Sequence, residues 1–446
     1  MRNDISRIDE IYSNFARYGD KLNAFITLRE QKQVLADFAH APNGPLKGVT
    51  YVLKDAYVTK GIKTTVASNV LGNFIPPYDA TVYRKMTEAG AILLGKMNMD
   101  AWGHGGSTEN TDFGPSHNPW DQKRVAGGSS GGTAVAIAAN LAECAIGEDT
   151  GGSIRNPADW NNITGLKVTY GRVSRYGAIA YASSFDTVGP MAHTAADCAA
   201  ILSVIAGEDP YDATSSPHPV DDYVSHLSDS LNGKVIGIPT EMFDKGLDPE
   251  IKSTILASKA IWEKLGIKVI EISLPIADLA LAAYYLIAPS ETSSNLGRYD
   301  GIRYGNDRSH FTDETMRRIM IGTYALSAGY YDAYYRQAQK VRTLLIQAYA
   351  KAHSQCDVIL MPIMPTHATK IGEIVSDPLA NLLADIYTTS QNPVGVPSLA
   401  IPAGFSQSGL PIGMQLVGSK FSESLLLAMG HQYQQITDWH TRSPKL

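Results

Sequence analysis

Apolar residues recur at helical spacing between residues 5 and 38, where Ile8, Ile11, Phe15 and Leu22 share one stripe. From about residue 46 the pattern changes. Residues 49–53 are a short, β-rich apolar run and predict a buried strand. Asp79 is placed to cap a helix carrying Val82, Met86 and Ala89 and ending at Gly90, and residues 91–94 predict the next strand. Strand, helix, strand in that order favours a parallel pair joined by a crossover. The small-residue run 133–139 reads as a helix preceding a strand at 144–146.

The rhythm returns later. Residues 235–238 predict a strand. Asp248-Pro249-Glu250 has the form of a helix start, and Ile251, Ile255, Trp262 and Leu265 give that helix an apolar stripe, with Gly266 as its stop. Residues 267–272, 358–361 and 399–401 predict further strands. The polar, proline-bearing stretch 207–226 reads as a connection between two halves of a sheet. The expected fold class is therefore α/β. We expect one large domain spanning 1–446, with a mixed sheet covered by helices. N-terminal helices would occupy about 1–45, a serine/lysine core about 46–205, and the second half of the sheet with a substrate pocket about 230–446.

Composition narrows the function. The chain has 446 residues, 44% of them hydrophobic, and a net charge of -6 with both signs interspersed. That is enough to bury a large core, and it lacks the basic footprint of a chain that grips nucleic acid by itself. Cys144, Cys198 and Cys356 are odd in number and widely spaced, which predicts reduced thiols in a cytoplasmic setting. The first five residues lack the apolar core of a signal peptide, and no apolar run nears the roughly 18 residues that would span a membrane. No Cys/His spacing suggests a metal.

Two glycine-rich loops carry the candidate chemistry: Gly127-Gly128-Ser129-Ser130-Gly131-Gly132 and Asp149-Thr150-Gly151-Gly152-Ser153-Ile154-Arg155. Amide cleavage needs an activated nucleophile, donors for the oxyanion and an acid for the leaving amine. Ser153 fits the nucleophile, with the backbone N–H groups of Thr150, Gly151, Gly152 and Ser153 as an oxyanion hole. Ser129 fits a proton relay, because a hydroxyl both donates and accepts. Lys54, flanked by Val52 and Leu53, fits a base whose pKa burial would lower, provided that Asp55 points elsewhere. Each has a plainer alternative: a glycine turn for Ser153, a helix cap for Ser129 or Ser130, and a strand-end lysine reaching solvent for Lys54. Two other patterns compete. Gly127-x-Ser129-x-Gly131 matches a nucleophile elbow that would need a downstream histidine such as His193, His367 or His431. The segment Gly90 to Lys96 resembles a phosphate loop, but Met97 stands where Ser or Thr is required.

Together the two serine loops and Lys54 resemble the amidase signature family, over nearly the whole chain. The resemblance implies a Ser-cisSer-Lys unit. Ser153 would form the acyl-enzyme, Ser129 would relay protons from a cis peptide, and Lys54 would be the base. Within the family, Asn98-Met99-Asp100, Gly106-Ser107-Thr108-Glu109-Asn110, Arg298-Tyr299-Asp300-Gly301 and Gly329-Tyr330-Tyr331-Asp332-Ala333-Tyr334-Tyr335 resemble the glutaminase (A) subunits of tRNA-dependent amidotransferases. That branch releases ammonia from glutamine for a partner subunit. The partner, within an assembly with B and C subunits, uses ATP and Mg²⁺ to convert Glu-tRNA(Gln) to Gln-tRNA(Gln), Asp-tRNA(Asn) to Asn-tRNA(Asn), or both. The resemblance implies no cofactor or metal on this chain, tRNA held mainly by the partner, and no membrane. It places glutamine against Tyr284, Arg318 and Asp385, for which a core aromatic, a surface helix residue and a cap are the plainer roles.

The chain departs from the family in a short loop between Gly305 and Arg317, in Ala56 after Lys54-Asp55, and in the polar run 156–162. Two other function classes stand beside the glutaminase: a stand-alone amidase acting on another small amide, and a non-catalytic assembly subunit.

Overall fold

The strand Thr50–Lys54 (β2) sends Tyr51 and Leu53 into one hydrophobic core and Val52 into another. Cys144–Asp149 (β6) does the same, with Cys144 and Ile146 on one face and Ala145 on the other. Because side chains alternate across a sheet and both faces are covered, such strands read as continuous apolar runs. Each fully buried aliphatic side chain here contributes roughly 1.5–3 kcal/mol.

This architecture comes from a computed structural model that describes residues 5–243, 246–275, 277–302, 305–373 and 382–446. Residues 1–4, most of the segment that argued against a signal peptide, lie outside the described residues. In chain order the strands are Phe25–Leu28 (β1), β2, Ile92–Met97 (β3), His117–Asn118 (β4), Asp121–Val125 (β5), β6, Thr164–Lys167 (β7), Thr187–Ala192 (β8), Val235–Pro239 (β9), Lys268–Ile272 (β10), Val358–Met361 (β11), Ser398–Phe405 (β12) and Pro411–Gly418 (β13). All but β4 and β5 join one 11-stranded sheet, in the order β1-β3-β2-β6-β8-β7-β12-β13-β11-β9-β10.

The expected β2/β3 pair is parallel, and β2 is also parallel to β6. Antiparallel β7, β8, β12 and β13 stitch the two halves together. The sheet is thus mixed, as expected. β1, β7, β8 and β13 had no separate sequence signal. β7 and β8 contain glycine or proline within short runs, and that blurs their periodicity. Among the described residues, no helix is long and apolar enough to cross a membrane.

Three local expectations are corrected. Asp79 does not cap the helix Thr81–Glu88, whose N-cap is Ala80; its carboxylate accepts instead from Lys60 N–H at 2.6 Å. Ser130 occupies the N-cap of Gly131–Ala138 but makes no side-chain cap, because its hydroxyl donates to Glu148 O at 3.2 Å. The single helix expected after Asp248 is two, Pro249–Ala257 and Lys259–Lys264, divided at Ser258. Asp248 does cap the first, accepting from Glu250 N–H at 2.8 Å.

The helix Gly131–Ala138 lies close to its neighbours because its residues are small. A Cβ on Gly132 would sit 2.4 Å from Ala24 O and 2.6 Å from Asn98 O. A second close approach sets the pocket wall. Gly322, in Asp313–Leu326, packs on the carbonyl of Pro289, within Ala277–Asn295. Arg318 lies one turn before Gly322 on the same helix face, so this crossing carries it toward Tyr284 and Tyr285.

Candidate active site

Lys54 ends β2, and Asp149 ends the neighbouring parallel strand β6. The serine loops therefore gather at the carboxyl ends of parallel strands, the usual position for sites in open α/β sheets. Lys54 Nζ lies 2.7 Å from Ser129 Oγ. The peptide before Ser129 is cis. Ser130 N–H donates to Ser153 O at 3.2 Å, which ties the two loops together. Exposure falls inward from Ser153 (8%) through Ser129 (1%) to Lys54 (0%), so the candidate nucleophile is outermost and the amine deepest.

Burial lowers the Lys54 pKa, against the opposing charge of Glu148. Asp55 points elsewhere, as Lys54's proposed role requires. Its Oδ1 is 3.1 Å from Lys96 Nζ, and its Oδ2 accepts from Thr65 N–H at 2.7 Å. Lys96, the lysine of the phosphate-loop lookalike, is thereby buried within β3, which removes that alternative. The side chain that meets Ser129 Oγ is Lys54, not a histidine, and His367, one of the downstream histidines an elbow would call on, lies instead against Asp248 and Glu250 at 3.9 and 3.5 Å, so the contacts at Ser129 are not those of a nucleophile elbow.

The second loop differs from expectation at one amide. Gly152 adopts φ 129°, a conformation that favours glycine, and its N–H donates to Asp149 Oδ1 at 2.9 Å. It anchors the loop from below. Thr150, Gly151 and Ser153 remain as the candidate oxyanion donors. Asp149 also accepts from Ile154 N–H at 3.1 Å and from Arg155 at 3.0 and 3.1 Å. Burial would raise its pKa, but the Arg155 guanidinium outweighs that and holds the carboxyl well below its usual range. The polar run after Ser153 is used as clamps. Asn156 Nδ2 donates to Gly106 O at 2.8 Å, and Asn161 Nδ2 donates to Ala126 O at 2.6 Å.

Tyr284, Arg318 and Asp385 converge above the loops. A Cβ on Gly151 would lie 2.6 Å from the Tyr284 hydroxyl oxygen, so this ring covers the glycine. A Cβ on Gly106 would lie 3.6 Å from Asp385 Oδ1. Arg318 donates to Tyr181 OH at 2.6 Å and to Glu314 at 2.8 Å, and Tyr285 OH donates to Asp385 Oδ2 at 2.6 Å. Tyr181 and Ser129 flank the same residue, since a Cβ on Gly103 would lie 3.4 Å from Tyr181 Cδ1 and 3.8 Å from Ser129 Oγ. The pocket thus joins the buried Lys54–Ser129 pair and the loop of Ser153 to one buried guanidinium, Arg318, and one half-buried carboxylate, Asp385. Burial raises the Asp385 pKa to about 6, against Tyr285 and Arg318.

Sequence reasoning missed Glu148, Tyr181, Tyr285 and Glu314. Tyr285 and Glu314 had faint signals, as the neighbour of Tyr284 and the i−4 partner of Arg318. Tyr181 and Glu148 had none. Among the described residues, one group could hold a metal: Asp248, Glu250 and His367, with ligand-type atoms within 4.8 Å of one another. It shares no residue with this pocket. Long-range folding brings His367 to the other two, which is why no spacing showed it.

A sequence profile described as Amidase matches residues 8–427. The glutamyl-tRNA(Gln) amidotransferase A subunit of Pseudomonas savastanoi pv. phaseolicola is 50% identical, across 98% of this chain and 94% of that protein. The crystal structure of the glutamyl-tRNA(Gln) amidotransferase A subunit from Thermotoga maritima superposes with a TM-score of 0.84 at 38% identity, covering 96% of this chain and 91% of that one. A 6-aminohexanoate cyclic dimer hydrolase superposes with a TM-score of 0.89 at only 25% identity, covering 98% and 94% of the two chains. The backbone is therefore shared by enzymes with different substrates, and substrate choice has to be argued from the pocket.

Proposed function

The chain belongs to the amidase family, and on that footing we propose that it is the glutamine-hydrolysing subunit of a tRNA-dependent amidotransferase. The observation that carries this reading is the buried 2.7 Å contact between Lys54 Nζ and Ser129 Oγ, beneath a loop that presents Ser153.

Glutamine enters with its α-carboxylate toward Arg318 and its α-ammonium toward Asp385, a pairing of one cation and one anion that reads both ends of an amino acid. Its side-chain carboxamide reaches the glycine loops. Ser153 Oγ attacks the amide carbon while its proton passes to Ser129, and the Ser129 proton passes to the uncharged Lys54 amine. The tetrahedral oxyanion faces the N–H groups of Thr150, Gly151 and Ser153. The proton returns through Ser129 to the leaving nitrogen, so ammonia departs and an ester on Ser153 remains. Water then enters by the same relay and releases glutamate.

In this reading the ammonia serves a partner B subunit, in an assembly with a C subunit. There ATP and Mg²⁺ activate the carboxylate of Glu-tRNA(Gln) or Asp-tRNA(Asn), and this chain binds neither cofactor. The net charge of -6 fits a division of labour in which the partner holds most of the tRNA. Three free, buried cysteines fit a cytoplasmic setting.

The test is to purify the chain with its native partners and assay glutamine-dependent transamidation of each mischarged tRNA. Ser153→Ala abolishes the glutamine-dependent reaction, and added ammonium restores it. An isolated chain fully active on simple amides, and indifferent to partners and tRNA, would overturn this reading in favour of a stand-alone amidase.

A further inference from the structure

Among the described residues Lys54 Nζ has three polar neighbours at close range: Ser129 Oγ at 2.7 Å, Glu148 O at 3.2 Å and Glu148 Oε2 at 3.4 Å. Two of them belong to one residue. An uncharged amine has two N–H bonds and one lone pair, in fixed tetrahedral directions. For Lys54 to take a proton from Ser129, the lone pair must face Ser129 Oγ, and both N–H bonds must find acceptors elsewhere. Lys54 itself is fully buried, so bulk water does not supply them.

We propose that Glu148 is a positioning residue for Lys54: its carbonyl and its carboxylate accept the two N–H bonds and so aim the nitrogen lone pair at Ser129. The role rests on the amide-hydrolysing function proposed above and extends it.

The surroundings suit this role. Glu148 lies in β6, beside β2, and its carbonyl also accepts from Ser130 Oγ at 3.2 Å, so the same residue grips the relay loop. Its side chain is 3% exposed, and Oε1 has no hydrogen-bond partner among the described residues. A buried carboxylate left half satisfied is costly. Packing alone does not call for a carboxyl group here, whereas an amine that needs orienting does.

The charges facing the pair are few. Asp149 and Asp100 face Lys54, while Arg175, Asp149 and Asp186 face Glu148. Asp149 is bound to Arg155, Asp186 accepts from Thr150 Oγ1 at 2.7 Å, and Asp100 accepts from Thr108 N–H at 2.9 Å. Glu148 is thus the one carboxylate in direct contact with the amine among the described residues. Burial lowers the pKa of Lys54 and raises that of Glu148, and each partly offsets the other.

The experiment measures amide hydrolysis by the full chain with its partners across pH, for the parent, Glu148→Gln and Glu148→Ala. Glu148→Gln keeps an acceptor and removes the charge. Its acid limb in kcat/KM is expected to move down by about one unit or more, because the nearest charge opposing burial at Lys54 is then gone. It should keep plateau kcat within several-fold of the parent. Glu148→Ala removes the side-chain acceptor. It should lose kcat by at least about tenfold, with KM for glutamine unchanged. Superimposable pH profiles for parent and Glu148→Gln would overturn the proposal. So would full kcat in Glu148→Ala, or an effect confined to KM. Ser153→Ala keeps the two questions apart: if it retains activity, the functional reading fails first. If Ser153-dependent hydrolysis is found on some other amide, the role of Glu148 is tested on that substrate.

Discussion

Two arginine–aspartate pairs lie on opposite sides of the same glycine loop. Below it, Asp149 accepts from Arg155, Gly152, Ile154 and Asn392, while Arg155 also donates to Gln391, Gln415 and the carbonyl of Thr388. Above it, Asp385 accepts from Tyr285, and Arg318 donates to Tyr181 and Glu314. The lower pair has spent its hydrogen-bonding capacity on the protein. Among the described residues the upper pair retains capacity, and its two members are not bonded to each other. Saturation marks a structural knot, and buried charge left with open positions marks a place for a charged ligand. The direction of each aspartate pKa reports the same difference. Arg155 overrides burial at Asp149, whereas burial prevails at Asp385.

Breaking the lower pair should have the largest effect. Asp149→Ala leaves the Arg155 guanidinium buried without its countercharge and should cost about 3–5 kcal/mol of stability, measured by denaturant unfolding. Activity is lost with it, because the loop that carries Ser153 loses its anchor.

Arg318→Ala should act differently. Unfolding midpoints stay near the parent, while KM for glutamine rises about 100-fold, as for removal of one partner from a buried charge pair. If it unfolds the protein as Asp149→Ala does, the distinction between the pairs fails.

Asp385→Asn should raise KM for glutamine about tenfold or more. It should leave the rate on a simple amide without an α-amino group unchanged. Equal losses on both substrates would assign Asp385 to the loop and not to the ligand.

The smallest effect is a pH trend. Asp385 has a folded pKa of about 6, above the ordinary 3.8. It is therefore protonated below about 6 and charged above, so KM for glutamine should rise as pH falls through 6, and Asp385→Asn should abolish that trend. Its contribution to stability runs opposite to its contribution to binding. A raised acid favours the folded state at low pH and loses that contribution as pH rises from 3.8 through 6. Asp149, held low, contributes stability above the ordinary carboxylate range and loses it as pH falls toward its depressed folded value.

Much of the site was legible in the linear chain. Lys54, Ser129 and Ser153 stand in local patterns, an apolar strand and two glycine loops, and such patterns show when residues are read in order. Tyr284, Arg318 and Asp385 were placed by resemblance alone, because each sits in a helical or loop segment with no chemical signature of its own. Gly152 illustrates a limit of motif reading. Its place in the loop suggested an oxyanion donor, yet its N–H direction follows from φ 129° and from an Asp149 carboxylate held in place by Arg155.

The sequence by itself determined the α/β class and the parallel β2/β3 unit, and it singled out Lys54, Ser129 and Ser153, since apolar period and glycine placement act over a few residues. Only the tertiary structure decided which buried carboxylate each lysine meets. Asp55 adjoins Lys54 in the chain but pairs with Lys96, while Glu148 comes from a neighbouring strand to reach Lys54. Strand register and side-chain direction select such contacts, because successive residues of a strand face opposite sides of the sheet.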